Sequence, residues 1–379
     1  MGSVRRLGLA AAAAAAPLGL AYRFALAYRV RAGYPRRLPP THTPTDLGMP
    51  YESITVRSGD LELPAWFIPA RGGQRGPGVA LIHGWESARD RNLPNARLLH
   101  AAGFHCLLID VRGNGENPAE ALPLSAGEFG LDALAAFRAL IDRGEVTQGA
   151  VMGHSMGAVG ATLAAAADDR VAALVAISGP ADPYRLTRET FRIANLPIPG
   201  PIAVPLAWLT TRVYLHPRGH AVEDISASVA IGRYRGPVLL VHGEDDGVVP
   251  VDHMDRLAQA ARDGRAEDVS PASVETLRVK GGRHSWLYED PGYRRTVAHF
   301  LAGHLGGPLA PEDAAMIAAD TPVQRIPEAE TEFTAVATTA GGFRTLAQVA
   351  RPGATRLPLV VPDAIIPALP TVADEPAAG

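Results

Sequence analysis

Five short, uninterrupted apolar runs, at residues 79–82, 106–109, 150–152, 171–177 and 238–241, set the frame for this chain. None alternates apolar with polar residues, so none suits a strand with one face in water. Continuous runs of this length suit strands covered on both faces. Between them lie helical stretches at 93–102, 128–143 and 156–167. Strands that alternate with helices predict a doubly wound, mostly parallel sheet. Two further strands, 54–57 and 61–68, flank the turn Ser58-Gly59-Asp60, and Pro64 suits the second to an edge position. A helix at 251–262, a strand at 274–279 and a helix at 292–305 complete the predicted set.

The alternation stops between Gly179 and Gly236, where six prolines from Pro180 to Pro205 interrupt it. This length exceeds an ordinary connection and reads as a helical lid over the site. Residues 38–50 are rich in Pro and Thr and read as a linker, and 51–305 as the main domain with its lid at about 180–236. Residues 306–379 are rich in Pro and Ala without sustained periodicity, and read as a largely disordered tail with room for short helical pieces.

Residues 1–37 differ from the rest. Arg5 and Arg6 precede an alanine-rich apolar run, 7–22, and Arg23, Arg29, Arg31, Arg36 and Arg37 follow it. The run is slightly shorter than the ~20 residues that span a bilayer. The leader therefore reads as a membrane anchor or interfacial helix, with the arginine excess holding the following domain on the cytoplasmic side. The alternative is a cleaved signal and secretion, although Pro17 directly after Ala14-Ala15-Ala16 is a poor cleavage context. Every candidate catalytic motif lies beyond residue 50, so activity is expected to be independent of this leader. A net charge of −3 and the lack of a concentrated basic face argue against nucleic acid as a partner. Cys106 is the single cysteine, which rules out an intramolecular disulfide.

The third apolar run passes into Gly153-His154-Ser155-Met156-Gly157 and then into an alanine-rich helix. A serine on a sharp strand-to-helix turn has its hydroxyl pushed out of the sheet. Glycines on either side leave room for the bend. The amides of the following helix then face any oxyanion formed at Ser155. A serine hydroxyl also needs a base to take its proton and an acid to orient that base. Acidic candidates follow the run at 238–241, at Glu244, Asp245 and Asp246, and His284 follows the last strand in a glycine-bearing loop.

This arrangement resembles the α/β-hydrolase superfamily over about residues 50–305, with Gly153 to Gly157 as its nucleophile elbow. The resemblance implies the order Ser, then Asp or Glu, then His. Gly243, Asp246, Val249 and Pro250 match the family's G-x-x-D-x-x-V-P frame, which selects Asp246 over its two neighbours. The implied triad is Ser155, Asp246 and His284. His83-Gly84-Trp85 stands where the family carries H-G-x, so the backbone N–H groups of Trp85 and Met156 are the implied oxyanion hole. His83 and His242 then read as loop-ordering residues. Asp110-Val111-Arg112-Gly113-Asn114-Gly115 resembles the D-x-R-G-x-G turn that shapes the site's floor, and Asn117 stands where the family often has serine.

The function implied is that of a serine hydrolase cleaving a carboxylic ester or thioester through an acyl-enzyme. A serine peptidase of the same fold is the alternative, and a non-catalytic binding protein the alternative of another class. No cofactor or metal is implied: neither G-x-G-x-x-G nor H-E-x-x-H is present where it would be needed. The expected partner is a small-molecule acyl substrate. Short- to medium-chain esters are expected to be preferred to peptides, because the lid is apolar and carries no acidic cluster to hold a peptide amine.

Overall fold

The chain opens with a long helix, α1 (Gly2–Ala32), and then builds an eight-stranded sheet from the apolar runs. In this computed structural model residues 2–267, 272–326, 333–335 and 346–348 are described, with side chains between residues 16 and 326. A hairpin of β1 (Glu52–Ser58) and β2 (Leu61–Ile68) precedes β3 (Gly76–Ile82), α2 (Leu93–Ala101) and β4 (His105–Ile109). Then come α3 (Ala126–Ile141), β5 (Val146–His154), α4 (Met156–Ala167) and β6 (Val171–Ile177). The lid region holds α5 (Pro183–Ile193) and α6 (Gly200–Leu215), and α7 (Ala227–Arg233) returns the chain to the sheet. The domain closes with β7 (Val238–Gly243), α8 (Asp252–Gly264), β8 (Val274–Val279), α9 (Pro291–Leu305) and α10 (Pro311–Asp320). Two short strands, β9 (Phe333–Ala335) and β10 (Leu346–Gln348), pair with each other.

The strand order is β1-β2-β4-β3-β5-β6-β7-β8. β1 and β2 are antiparallel, β2 is antiparallel to β4, and the remaining neighbours are parallel. The sheet is thus mostly parallel and doubly wound. Successive residues of its inner strands enter opposite cores, as the two-residue period of a strand requires. Ala80 and Ile82 of β3 join Phe129 and Phe137 of α3 on one face. Val79 and Leu81 join Leu93 of α2 and Phe300 of α9 on the other. The chain leaves β3 for β4 on one side and returns to β5 on the other, a switch point at which a crevice opens beyond the strands' carboxyl ends.

Both termini make contacts that the sequence did not show. Among the described residues no helix is long and apolar enough to cross a membrane. Aromatic residues of the leader dock it onto the lid. Phe24 and Tyr28 meet Phe191 edge-on at 5.4 and 5.8 Å, and Tyr28 lies 6.0 Å from Tyr214. Tyr28 Oη shares a 2.8 Å hydrogen bond with Thr190, and Tyr214 O–H donates to Ala32 O at 3.0 Å. At the other end, residues 311–320 form a short helix within the tail. α10 packs on α9 through the buried Ala314 and Ala318, and Arg294 donates to the carbonyls of Ala318 and Ala319 at 3.2 and 2.6 Å. Its alanine face is too weak a hydrophobic signal to stand out against a Pro/Ala-rich background. The apolar segment 357–369 lies outside the described residues.

Candidate active site

The Ser155 backbone occupies φ 55° and ψ −120°, a conformation costing about 1–3 kcal/mol for a residue with a side chain. The surroundings hold it there. Ser155 N–H donates to Ile177 O at 2.9 Å, and its own carbonyl accepts from Ala158 N–H at 2.9 Å as α4 begins. A Cβ on Gly153 would sit 2.0 Å from Gly157 O, and one on Gly157 would sit 2.3 Å from Ile82 O. Only glycine lets α4 press this closely on β3 and β5, and that pressing keeps the helix N-terminus beside the serine. The first amides of a helix lack intrahelical partners and carry its positive dipole end.

Asp246 and His284 come together from the ends of β7 and β8. His284 Nδ1 and Asp246 Oδ2 are 2.8 Å apart. Asp246 Oδ1 accepts from the N–H groups of Val248 and Val249 at 2.9 and 2.8 Å. His242 Nε2 lies 3.2 Å from Asp246 Oδ2 and 2.8 Å from Val249 O, which ties the acid loop to its strand. Burial alone would raise the Asp246 pKa, but the charge on His284 and hydrogen bonds from His242 and His284 outweigh it and hold the carboxyl well below its usual range. Glu244 and Asp245 point into solvent. Ser155 and His284 line one small pocket. Among the described residues no hydrogen bond joins the serine hydroxyl to that imidazole, a contact that commonly tightens only when substrate is bound.

His154 has a role that the motif did not reveal. Its Nε2 lies 2.7 Å from His284 O, and the two rings are 4.9 Å apart. Burial and the neighbouring His284 push its pKa down to about 3, so it donates as a neutral ring and braces the His284 loop.

The loop after β3 carries Trp85 and is braced from below. Val111 N–H donates to His83 Nε2 at 3.0 Å, and His83 Nδ1 lies 2.7 Å from Gly84 O. Only the neutral ring makes both bonds, and burial holds the His83 pKa down to about 4. Asp110 accepts from the backbone N–H groups of Arg89 and Glu116 at 2.6 and 2.9 Å, and from the Arg89 guanidinium at 2.5 Å. Burial nonetheless pushes its pKa up to about 6. Asn117 Nδ2 donates to the carbonyls of Asp110, Val111 and Asn114, so it closes the turn from its position in the D-x-R-G-x-G region. Glu86, with φ 50°, donates its N–H to Asn114 Oδ1 at 3.1 Å. Its buried carboxylate accepts from the backbone and Nε of Arg36, at 3.2 and 3.4 Å. Nothing in the sequence singled out this pair, because its members stand 50 positions apart in segments read as separate units.

Two cavities meet at Ser155, and Trp85 lines both. One, of about 350 Å³, is largely apolar, walled by Met156, Val159, Leu186, Leu215 and Ile225, with Tyr28 and Tyr34 of the leader segment. The other, of about 70 Å³, is lined by His284, Arg91, Asn92 and Tyr288 among others. Met156 is the first residue of α4, and Trp85, in the loop after β3, lines both cavities.

A family model described as the alpha/beta hydrolase fold matches residues 77–196. An uncharacterized protein of Mycobacterium tuberculosis is 29% identical over 221 residues, covering 58% of this chain and 70% of its own. Among solved structures, the chain is similar in fold to the esterase Pf2001 of Pyrococcus furiosus, with a TM-score of 0.56 at 20% identity over 72% of this chain and 98% of that one. It is similar also to an acylaminoacyl peptidase of Pyrococcus horikoshii, with a TM-score of 0.53 at 16% identity over 72% of this chain and 45% of the peptidase.

Proposed function

From its membership of the α/β-hydrolase superfamily, we propose that this protein is a serine hydrolase that cleaves carboxylic esters or thioesters through an acyl-enzyme. The observation that carries the reading is the strained elbow of Ser155 opening onto the pocket that also holds the Asp246-paired His284. Ser155 Oγ attacks the acyl carbon while His284 Nε2 takes its proton. Asp246 orients the ring and stabilises its protonated form. The Trp85 and Met156 amides hold the oxyanion, and each such donor typically contributes ~2.7–4 kcal/mol in the transition state. Collapse of the tetrahedral species breaks the bond to the leaving alcohol or thiol, which takes the proton from His284. Water then attacks the acyl-serine by the reverse sequence and frees the carboxylic acid. No cofactor enters these steps.

The apolar cavity favours an ester over a peptide. The two carboxylates on its wall are engaged: Glu86 with Arg36, and Asp182 with Arg185 N–H at 2.9 Å as the cap of α5. Neither is open to hold a peptide ammonium. The test is covalent labelling with a fluorophosphonate, followed by peptide mapping. Ser155 should carry the adduct, and Ser155→Ala should lose it while keeping its thermal transition. Labelling retained in that variant, or efficient cleavage of aminoacyl amides with negligible ester turnover, would overturn the reading.

A further inference from the structure

Residues 311–326 lie beyond the span that resembles a hydrolase and turn back onto the segment that carries His284. Arg294 of α9, only 8% exposed, joins the two. Its guanidinium donates to the carbonyls of Tyr288 and Glu289, both at 2.9 Å, and to those of Ala318 and Ala319. Beyond α10, Ile326 is buried in the same apolar cluster as Leu287 and Tyr288, and Val323 and Trp286 pack against it. Arg325 then closes over the segment from outside. Its Nε and Nη2 donate to the two carboxylate oxygens of Glu289 at 2.7 and 2.8 Å. Its guanidinium carbon lies 4.3 Å from the centre of the Trp286 ring.

The segment needs holding. Trp286, two residues after His284, has φ 63° and ψ 21°, a left-handed conformation that a bulky side chain rarely adopts. Such a conformation persists only where the surroundings over-determine it. Released, Trp286 would relax toward negative φ, and the chain would swing at a point two residues from the imidazole. His284 itself is tied by Asp246 at Nδ1 and by His154 at its carbonyl. Neither bond fixes the backbone that follows. A reacting group misplaced by 1 Å can lose about 10²-fold in rate. Trp286 and Tyr288 also line the pocket shared by Ser155 and His284, so the same segment shapes the space beside the imidazole.

Resting on the serine-hydrolase reading, we propose that residues 311–326 form a clasp that positions His284 through Trp286, with Arg325 as its positioning residue. The side chains of Arg325 and Glu289 are 51% and 42% exposed, so their pair contributes little to global stability. Its effect falls on local geometry, because it pins the Trp286 ring on a strained backbone. The clasp lies outside residues 77–196, which the family model matches.

The experiment compares full-length wild type, Arg325→Ala and Arg325→Lys on p-nitrophenyl butyrate, with active serines counted by fluorophosphonate titration. Arg325→Ala should lower kcat per active serine about tenfold, with KM held within about twofold. Its Tm should fall by no more than about 3 °C. Arg325→Lys keeps a cation over the ring and one ion pair, and should recover most of the rate. A merely structural residue would lower the Tm and the count of active serines but leave kcat per serine unchanged, and that result would overturn the proposal. Equal losses in Arg325→Lys and Arg325→Ala would overturn it too. A second readout needs no turnover: the downfield proton resonance of the N–H between His284 and Asp246. It should be sharp in the wild type and in Arg325→Lys, and broadened or lost in Arg325→Ala. An unchanged resonance in Arg325→Ala would sink the clasp. If the wild type shows the resonance but neither labels nor hydrolyses any ester, the hydrolase reading fails, and the resonance alone decides whether the clasp positions the ring.

Discussion

The half of the candidate site that holds Ser155, Asp246 and His284 and the half that holds the apolar cavity are supported in different ways. Ser155, Asp246 and His284 each stand a few residues beyond the end of a parallel strand. Short-range bonds fix them, as in the Val248 and Val249 amides on Asp246. The apolar cavity is assembled from distant pieces: α1 and the residues after it, the lid helices and the loop carrying Trp85. Tyr28 lies 162 positions from its partner Thr190, and Arg36 lies 50 from Glu86. The first half is a property of the sheet, whereas the second depends on the leader folding back over it. The two halves should therefore fail separately under mutation.

The largest effects belong to the sheet-borne half. Asp246→Asn should reduce kcat by about 10⁴-fold, since the amide favours the wrong imidazole tautomer. Asp245→Asn should stay within about threefold, because its side chain is exposed and outside the pair. Steady-state kinetics on one ester decides this, and equal losses in the two variants would break the assignment of the acid.

Next comes the leader. Deleting residues 1–37 should lower kcat/KM for a decanoyl ester by roughly a hundredfold and for an acetyl ester by much less. It strips Tyr28 and Tyr34 from the cavity wall and removes the partner of the buried Glu86. Leaving a buried charged group without its partner costs about 1–3 kcal/mol or more. Arg36→Leu alone should reproduce part of the loss, and adding Glu86→Gln should restore some of it. Full decanoyl activity in the truncated protein would show that the leader is a separate unit, as the sequence alone suggested.

A third test concerns acid. Besides His83, His253 accepts a backbone N–H, from Ala181 at 3.0 Å, and burial pushes its pKa down to about 4. Both rings are neutral in the folded state and take up protons near the ordinary value of about 6.5 when unfolded. Unfolding thus gains protons as pH falls, so stability declines between about 6.5 and 4 and is flat on this account above it. Each ring contributes up to about 2 kcal/mol of loss by pH 5. Thermal melts at pH 7 and pH 5 should show a clear drop in Tm, and an unchanged Tm would mean that these rings are charged in the fold.

The smallest effect is on selectivity. Leu186→Trp, on the lid wall of the large cavity, should shift the preferred acyl chain shorter by a few carbons, with a several-fold change in the decanoyl-to-butanoyl ratio. A ratio that does not move would place the acyl chain elsewhere.

What could be read from the chain alone follows from local physics. Short continuous apolar runs between helical stretches suit strands covered on both faces, and a serine flanked by glycines at a strand-to-helix junction suits a sharp turn. Those rules act over a few residues and were enough for the parallel sheet; choosing Asp246 over Glu244 and Asp245 took the family resemblance. The fold decided the rest because the forces involved are not local. Alanine-rich α1 carries no periodic stripe strong enough to announce a partner, and its destination depends on Phe191, Thr190 and Tyr214 being presented by the lid. The hydrogen bond from His154 to His284 O and the bonds between Arg36 and Glu86 join segments 130 and 50 positions apart. That the Asn92 and Tyr288 side chains are buried without a partner among the described residues becomes visible only in the fold, since in an unfolded chain water satisfies both.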